Sequence, residues 1–463
     1  GPPGTGKTTV SEGIARYCYQ KGHPLLIVCG SNFGLDVIAR RITLRFPNSQ
    51  PPLETSRIYR LGTDFHETSE MQMAPGALNQ SSLGSAEFDA AHMELLQLGI
   101  QPELLKVIKQ SVQDMVSASS DFSLGSRIIS RMERAAQLGS NWPQTTNEER
   151  DEMTLIWNYF TWQKCLLREG IAFAEPVSAS GEADPIRAGA GTDRSEEDVQ
   201  PLHASFVQQL RRAWTDLQEF YLGHAKIILC TASTASRKSL RGFRPEFVLV
   251  EEASQMPEST CLNAISRYIS NLKKVILSGD IAQLPPTVTS LHMNEAYSSE
   301  KVSLFQRMLQ SGVPDVQLAV QYRMHPHIAD FVSAEYYEQK LVNNPSYKQG
   351  KLSDTFSNYM VQRYHCYAGA SFFVSVENST VFRRRNGTSL FNPEYVSFIG
   401  EWVAWFCGLG CPQQYILILS FYSDERRILA DLMRKLGFKD VKISSVDASQ
   451  GDESEIVILS TTR

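Results

Sequence analysis

The chain has 463 residues, which at about 150 residues per domain predicts roughly three domains. Hydrophobic residues make up 42% and charged residues 21%, a globular composition that excludes disorder throughout, a collagen-like repeat and a coiled-coil rod. The formal net charge is −5, which excludes a uniformly basic surface, so any nucleic-acid binding must use a local groove.

The cysteine content and the length of the apolar runs indicate the cellular compartment of the protein. The chain has 8 cysteines, and none forms a C-x-x-C pair. The closest two, Cys407 and Cys411, are not followed by a His or Cys pair at zinc-finger distance, and His365-Cys366 has no partners at ligand spacing. We therefore expect no metal site there and a reducing compartment, cytoplasmic or nuclear. No apolar run reaches about 18 residues, so no transmembrane helix is predicted.

Short apolar runs separated by helix-like segments recur along the chain. Runs that are hydrophobic on both alternating faces are typical of parallel strands covered by helices on both sides. This pattern predicts an α/β fold with right-handed crossovers. The runs are Leu25–Cys29, Ile227–Cys230, Phe247–Val250, Val275–Leu277, Phe372–Val376, Tyr415–Leu419 and Ile456–Leu459.

Between about Thr63 and Gly223 the run pattern fails and helices are predicted instead. Glu103–Val116 and Leu202–Tyr221 are amphipathic, and the aromatic stripe of the second segment indicates core packing. Glu175–Pro201 has almost no large apolar residues and is predicted to be a disordered loop.

This organisation predicts three regions. The first α/β domain comprises residues 1–62 and 224–297, and a helical insertion spans 63–223 with its loop at 175–201. A second α/β domain spans 298–463, and the boundary is expected near Ser298–Val316.

The chain opens with a segment that fits the pattern G-x-x-x-x-G-K-[ST]. Glycines allow successive backbone N–H groups to turn inward around phosphates. Lys7 supplies a cation for the β and γ phosphates, and the Thr8 hydroxyl is a Mg²⁺ ligand. The helix predicted over Thr9–Tyr19 adds a favourable dipole at its N-terminus. The candidate nucleotide-binding residues here are Gly1, Pro2, Pro3, Gly4, Thr5, Gly6, Lys7, Thr8 and Thr9.

Two acidic residues follow the apolar run Phe247–Val250. Open α/β sheets place their sites at the carboxyl ends of strands, so Glu251 is predicted to hold Mg²⁺, directly or through water. Glu252 is predicted to be the general base that polarises the attacking water. The alternative, a solvated acidic turn, is common for an isolated Glu-Glu pair.

A third element is the turn after Val275–Leu277, which contains Asp280 and Gln283. The Gln283 amide can donate to a phosphate oxygen and accept from the attacking water. Asp280 either contributes to this chemistry or stabilises the turn only, and the two alternatives are equally supported. A fourth element is Gln321-Tyr322-Arg323-Met324-His325-Pro326.

These elements, in this order, resemble the superfamily 1 helicases of the nonsense-mediated-decay type, the group that includes senataxin. The resemblance covers most of the chain outside about 63–223. It implies two RecA-like P-loop domains with parallel sheets and ATP in the cleft between them. It also implies ATP-driven translocation on single-stranded RNA or DNA, with RNA favoured. By this resemblance Arg323 is an arginine finger, and a guanidinium suits the charge spread over the transferred phosphoryl oxygens.

Further segments match the same family. Two segments resemble its motifs that contact the nucleic-acid backbone: Cys29-Gly30-Ser31-Asn32 with Asp36, and Cys230-Thr231-Ala232-Ser233. Ile58–Gly62 resembles the segment that follows the first of them. The resemblance implies that the nucleic-acid contacts are Ser31, Asn32, Thr231 and Tyr422. Val446–Glu453 resembles the second domain's motif that meets both nucleotide and nucleic acid, and its candidate nucleotide-binding residues are Gln450, Gly451 and Glu453.

The chain departs from the family pattern at several positions. The family usually has Asp-Glu where this chain has Glu251-Glu252, Phe421 replaces a proline, and Ser449 replaces an aromatic residue. Glu251 and Phe421 favour a second hypothesis, a nucleic-acid-binding clamp or scaffold with weak or no ATPase. They are outweighed by the residues that favour the helicase, which are all present: Lys7, Thr8, Glu252, Gln283 and Arg323. A GTPase is disfavoured because no Asn-Lys-x-Asp motif is present. Arg383-Arg384-Arg385 either lines a nucleic-acid groove or, with better support, forms a solvated hairpin tip.

The ends of the sequence also carry an expectation. Residue 1 is already the first glycine of the P-loop, and the family's architecture has a buried strand before that loop. The family's final motif, with a second arginine, would follow Arg463. We therefore expect the 463 residues to be a fragment of a longer helicase that is poorly soluble and weakly active by itself.

Overall fold

The structure, a computed structural model, describes most of the chain. The described residues are 1–45, 57–61, 85–98, 104, 106, 123–138, 143, 145–168, 196–288, 290, 293–345, 358, 361–362, 370–384, 387–449 and 452–462. They form two compact units, Gly1–Ala319 and Val320–Arg463. Both contain parallel sheets flanked by helices, as the α/β prediction requires.

The first unit is built on a parallel sheet of five strands in the order β2-β3-β1-β4-β5. In chain order the strands are β1 (Leu25–Cys29), β2 (Ile58–Arg60), β3 (Ile227–Thr231), β4 (Phe247–Glu251) and β5 (Lys274–Leu277). Because all of them run in one direction, their carboxyl ends, including Cys29, Thr231 and Glu251, meet at one edge. This edge collects the polar residues that follow each apolar run.

Alternate residues of each strand enter different cores, as the period of two requires. Leu25 and Ile27 of β1 pack in one core, and Leu26 and Val28 pack in the other. The first core is covered by α1 (Lys7–Lys21) and α2 (Asn32–Arg45). The second is covered by the helices of the insertion and by the short helices that follow β3 and β4. Every residue of β1 is buried, which explains its continuous apolar run.

The helical insertion shares a core with the sheet. Its described helices are α3 (Ser85–Leu98), α4 (Leu124–Leu138), α5 (Asn147–Arg168) and α6 (Glu196–Gly223). The predicted stripe of α6 is confirmed as core, since Phe206, Leu210, Leu217 and Tyr221 are buried together with Tyr59 of β2. The insertion therefore helps to cover one face of the sheet.

Polar contacts inside the insertion supplement this core. Glu152, which is 4% exposed, accepts from Arg131 Nε at 2.7 Å, from Arg131 Nη2 at 2.5 Å and from the Tyr221 hydroxyl at 2.5 Å. Burial raises the pKa of Tyr221, and the Glu152 carboxylate raises it further. The three side chains join α4, α5 and α6, so the buried charge of Glu152 is compensated from both neighbouring helices.

Two sequence predictions in this region can be compared with the structure only in part. The loop predicted over 175–201 is wrong at its end, because residues from Glu196 onward are helical. Three consecutive acidic residues, 196–198, begin this helix, and negative charge stabilises a helix N-terminus. The rest of that loop, and Glu103–Val116 apart from Leu104 and Lys106, lie outside the described residues.

The division between the units falls after Ala319, just past the predicted range Ser298–Val316. A short helix, α7 (Ala232–Ala235), follows β3. Between β4 and the division lie α8 (Glu258–Ser266), α9 (Tyr297–Glu300) and α10 (Leu304–Gln310). Arg307 of α10 forms a bidentate pair with Glu258 of α8 at 2.6 and 2.7 Å. Ser303 also bridges Pro257. These contacts attach residues beyond 298 to the first unit.

The second unit has a parallel three-stranded sheet in which β10 (Ile416–Ser420) lies between β11 (Lys442–Ser444) and β12 (Ile456–Ser460). Its core packs that sheet against α12 (Pro393–Gly408) and α13 (Ser423–Lys435), while α11 (Pro326–Tyr336) follows the Gln-Tyr-Arg-Met turn. The strands of the unit are β6 (Val320–Gln321), β7 (Val342–Asn343), β8 (Phe382–Arg383), β9 (Leu390–Phe391), β10 (Ile416–Ser420), β11 (Lys442–Ser444) and β12 (Ile456–Ser460).

Six of the seven predicted runs coincide with strands, and Phe372–Val376 does not. Its Phe373 side chain is 81% exposed, so the run does not gain the burial that favours a strand. Arg383 lies in β8, which pairs antiparallel with β9, whereas Arg385 is outside the described residues. Among the described residues, no helix is both long and apolar enough to cross a membrane.

Candidate functional site

The Gly-rich segment forms a tight loop that leads directly into α1. Gly4 and Gly6 have φ values of 71° and 86°, a left-handed backbone that glycine adopts without steric cost. The Thr5 hydroxyl donates to the Pro2 carbonyl at 2.7 Å, and Lys7 Nζ donates to the Gly1 carbonyl at 2.7 Å. The Lys7 cation therefore lies across the loop, and Lys7, Thr8 and Thr9 lie in the first turn of α1.

The loop is held against the ends of β4 and β5 within the same unit. The Gly1 nitrogen donates to the Gly279 carbonyl at 2.5 Å. The Ser11 hydroxyl of α1 donates to Glu251 Oε1 and lies 3.2 Å from the Lys7 carbonyl oxygen. Glu251 is 4% exposed, so this hydroxyl compensates part of the cost of burying its charge. The fold thus brings the P-loop and the acidic pair together.

Glu252 occupies a strained position at the end of β4. Its φ is 51°, which is uncommon for a residue with a β-carbon, and strain of this kind clusters at functional sites. Its Oε2 accepts from Gln255 Nε2 at 2.9 Å. Burial raises the pKa of the Glu252 carboxyl, the Lys7 cation lowers it, and Glu251 raises it again. A partly buried carboxylate close to the P-loop lysine is suited to accept a proton.

The turn after β5 is organised by Asp280, which is 5% exposed. Its carboxylate accepts from the Ala282 nitrogen at 3.1 Å and from Gln283 Nε2 at 2.7 Å. Its own backbone nitrogen donates to Ser254 Oγ at 3.0 Å. Asp280 therefore builds the turn and orients Gln283, which matches the stabilising alternative. In this structure the Gln283 amide nitrogen donates to the Asp280 carboxylate.

The predicted nucleic-acid contacts of the first unit lie at the same sheet edge. β1 and β3 are adjacent, with Cys29 opposite Thr231, so Ser31 and Asn32 follow a strand that neighbours Thr231. Ser31 is the residue before α2, and its Oγ accepts from the Gly34 nitrogen at 3.2 Å. The Thr231 hydroxyl lies 3.0 Å from the hydroxyls of both Ser233 and Thr234.

In the second unit, Gln321 shapes the turn that carries Arg323. Gln321 is fully buried, and its Oε1 accepts from the backbone nitrogens of Arg323 at 2.9 Å and Met324 at 2.7 Å. Its Nε2 donates to the Met324 carbonyl and to Asn343 Oδ1, both at 2.8 Å. Arg323 Nε donates to Glu453 Oε2 at 2.8 Å, so these two candidate residues are adjacent. Gln450 and Gly451 lie outside the described residues.

The loop that contains Tyr422 is attached to a buried carboxylate. Glu425 is fully buried and accepts from the Ser420 hydroxyl at 2.6 Å and from the Thr462 hydroxyl. The Tyr422 nitrogen donates to Ser420 Oγ at 3.2 Å. Phe421, where the family has proline, is 57% exposed. The neighbouring Tyr422 therefore keeps a defined backbone position without that proline.

Several of these positioning residues were not predicted as such. Ser11, Ser254 and Glu425 contact the candidate residues directly, yet a Ser or Glu in a helix or turn has no distinguishing sequence signal. Gln321 belongs to the Gln-Tyr-Arg-Met-His-Pro motif. Only its burial, and the two backbone nitrogens that donate to its side-chain oxygen, explain why glutamine stands there.

The donor set near the P-loop suits Mg²⁺. Among the described residues there is no cluster of three or more His, Cys, Asp or Glu side chains that could hold a metal by itself. Mg²⁺, however, is usually bound through one or two protein oxygens, several waters and substrate phosphates. Thr8 and Glu251 would supply those oxygens, and Ser11 contacts one of the two Glu251 carboxylate oxygens, Oε1.

Comparisons with known proteins agree with this arrangement. A family model described as an AAA domain matches residues 1–291, and a second model of the same description matches residues 300–463. The regulator of nonsense transcripts 1 homolog of Arabidopsis thaliana is 28% identical over 245 residues, covering 52% of this chain and 19% of that protein.

Two other relatives give a similar result. The ATP-dependent helicase NAM7 of Saccharomyces cerevisiae is 29% identical over 279 residues, 58% of this chain and 27% of the relative. The human NFX1-type zinc finger-containing protein 1 is 32% identical over 259 residues, 55% of this chain and 12% of the relative. The chain therefore spans about a quarter or less of the length of these relatives.

The first family model alone matches more than half of the chain, and its range contains the P-loop and the acidic pair. The second contains the Arg323 turn and the Tyr422 loop. The chain belongs to the AAA-domain family, in the group of superfamily 1 helicases of the nonsense-mediated-decay type, and has two RecA-like units with a helical insertion in the first.

Proposed function

We propose that the protein is an ATP-dependent translocase or helicase that acts on single-stranded nucleic acid, with RNA favoured over DNA. The observation that carries the proposal is the contact of Ser11, in the helix that follows the P-loop, with Glu251 of the acidic pair. Relatives named as ATP-dependent helicases support the activity. Relatives named as regulators of nonsense transcripts support RNA as the substrate.

Each candidate residue has a chemical role in this proposal. Lys7 exchanges its contact with the Gly1 carbonyl for oxygens of the β and γ phosphates. Glu252 accepts a proton from the attacking water, and Gln283 orients that water. Mg²⁺, held by Thr8 and Glu251, would neutralise charge on the phosphates. Arg323 stabilises the charge of the phosphoryl group in the transition state.

Within the first unit, the proposed nucleotide contacts and the proposed nucleic-acid contacts use different parts of the same sheet edge. The P-loop residues 1–9, together with Gln450, Gly451 and Glu453 of the second unit, are the proposed ATP contacts. Ser31, Asn32, Thr231 and Tyr422 are the proposed contacts to the nucleic-acid backbone. The cytoplasm or the nucleus is the proposed compartment, because the relatives are named for the control of nonsense transcripts.

A second candidate function is a nucleic-acid clamp with weak ATPase. It is favoured by the engagement of Glu251 with Ser11, which restrains the carboxylate expected at Mg²⁺, and by the donation of Gln283 to Asp280. In this alternative the protein binds single-stranded RNA but hydrolyses ATP slowly, with no increase when RNA is added.

An ATPase assay separates the two functions. Phosphate release is measured without nucleic acid, with oligouridylate, and with matched oligothymidylate at one salt concentration, because binding depends strongly on salt. The proposal expects stimulated turnover, greater with RNA, and loss of turnover in Lys7→Ala, which removes the cation at the β and γ phosphates. Turnover that stays unstimulated while RNA binds would support the clamp. Lys7→Ala turnover within tenfold of the parent would contradict the P-loop assignment.

A further inference from the structure

A buried arginine lies at the carboxyl end of the edge strand β2. Arg60 is 5% exposed, which is rare for an arginine unless it is paired. Its backbone is fixed on both sides: β2 pairs with β3, the Leu61 nitrogen donates to the Leu229 carbonyl at 2.8 Å, and Arg60 bridges Ser123 of the insertion. The guanidinium therefore projects from a rigid position.

The guanidinium contacts α2 at its first residue, Asn32, and one turn further on, at Asp36. Arg60 Nε donates to Asp36 Oδ1 at 2.9 Å, and Nη2 donates to Asn32 Oδ1 at 3.1 Å. Nη2 also lies 3.4 Å from the Asn32 carbonyl oxygen. Asn32 and Asp36 are four residues apart, so they lie on one face of the helix. Asp36 balances the charge of Arg60, and the contact with Asn32 is additional to that balance.

The contact determines which way the Asn32 amide faces. A guanidinium has five donors and no acceptor, so only the oxygen of a neighbouring amide can face it. With Oδ1 turned toward Arg60, the NH₂ group of Asn32 turns away from it. Phosphate oxygens accept hydrogen bonds and do not donate them, and α2 is a helix of 14 residues whose N-terminus also favours an anion. An outward NH₂ at that position complements a phosphate.

We propose that Arg60 is a positioning residue for single-stranded nucleic acid: it holds the Asn32 amide so that the NH₂ group donates to a backbone phosphate. The inference rests on the proposed nucleic-acid function and adds a residue that the sequence pattern did not assign a role. Because the contact is to phosphate, it strengthens binding irrespective of base sequence. Because Arg60 also bridges Ser123, the insertion supports the same position.

The test combines a conservative change at Arg60 with changes at Asn32. Arg60→Lys keeps a cation for Asp36, but a single ammonium lacks the planar fork that serves Asp36 and Asn32 together. Asn32→Asp keeps an oxygen facing Arg60 and removes the NH₂ donors. Asn32→Ala removes the amide altogether. Arg57→Lys is the matched control, because Arg57 precedes the same strand and pairs with Glu148 of the insertion.

Affinity for fluorescein-labelled oligouridylate is measured at one salt concentration, together with melting temperature and affinity for a fluorescent ATP analogue. Arg60→Lys is expected to weaken RNA binding about tenfold, or about 1.4 kcal/mol, with nucleotide affinity and melting close to those of the parent. In the Asn32→Ala background, Arg60→Lys should have no further effect on RNA binding, since coupled residues are not additive. Arg57→Lys should bind RNA like the parent.

The outcomes distinguish this inference from the proposed function. Parent protein that binds neither oligouridylate nor oligothymidylate would overturn both. Parent protein that binds, with additive effects of Arg60→Lys and Asn32→Ala, would overturn the positioning role alone. If Arg60→Lys loses its cooperative melt, Asn32→Asp decides: it keeps the partner of Arg60, so RNA binding as tight as that of the parent would refute the donor role of Asn32.

Discussion

Gly279 offers the sharpest test of how the two catalytic turns are held together. A β-carbon placed on Gly279 would lie 2.9 Å from the Ser254 nitrogen and 3.1 Å from Ser254 Oγ. Non-bonded heavy atoms are most stable at about 3.5 Å or more, so in Gly279→Ala the turns after β4 and β5 must separate by about 0.5 Å. The separation strains the contacts from Asp280 N to Ser254 Oγ and from Ala253 N to the Ser278 carbonyl.

The expected cost is that of overpacking, about 1–3 kcal/mol of unfolding free energy. For a large domain each kcal/mol lowers the melting temperature by about 2 °C, so Gly279→Ala should melt about 2–6 °C lower. Because a displacement of about 1 Å in a catalytic site can cost about 100-fold, the half-ångström shift should lower kcat for ATP by about tenfold.

Gly13 provides the matched control. It lies in α1, is exposed, and a β-carbon there would meet nothing within 4 Å. Gly13→Ala should therefore raise stability by up to about 1 kcal/mol through helix propensity and leave ATP turnover unchanged. Thermal melts and a phosphate-release assay measure both variants. Equal melting and turnover for Gly279→Ala and the parent would refute the close packing of the two turns.

Three further changes test separate parts of the structure. Glu252→Gln should retain affinity for an ATP analogue and lose turnover by about 100-fold or more, because an amide cannot take the proton; lost nucleotide affinity would instead exchange the roles of the two acidic residues. Arg323→Ala should lower turnover about 10³-fold with little change in ATP affinity, while Arg434→Ala on the same unit should match the parent. Tyr221→Phe removes a donor to the buried Glu152 and should lower the unfolding free energy by about 1.5–3 kcal/mol, measured by denaturant titration; an unchanged midpoint would contradict that hydrogen bond.

The α/β class and the position of most central strands could be predicted from the amino-acid sequence alone. Leu25–Cys29 was predicted and observed with the same bounds, because a strand buried on both faces has few ways to be other than continuously apolar. The P-loop was equally readable, since its glycines are needed for a local backbone geometry that both Gly4 and Gly6 adopt. The strand predicted over Phe372–Val376 is not observed. An apolar run does not show whether a neighbouring strand is available for pairing.

The side chains that position the candidate site could not be predicted from sequence, because their contacts join distant segments. Ser11 and Glu251 are separated by 240 positions in sequence and meet through one hydrogen bond. Arg60 lies 28 positions from Asn32, and its backbone bridges Ser123 in the insertion. Such contacts follow from how strands are ordered in the sheet, and strand order is set by packing of distant segments. Local sequence therefore specifies the motifs, while the sheet specifies which neighbours orient them.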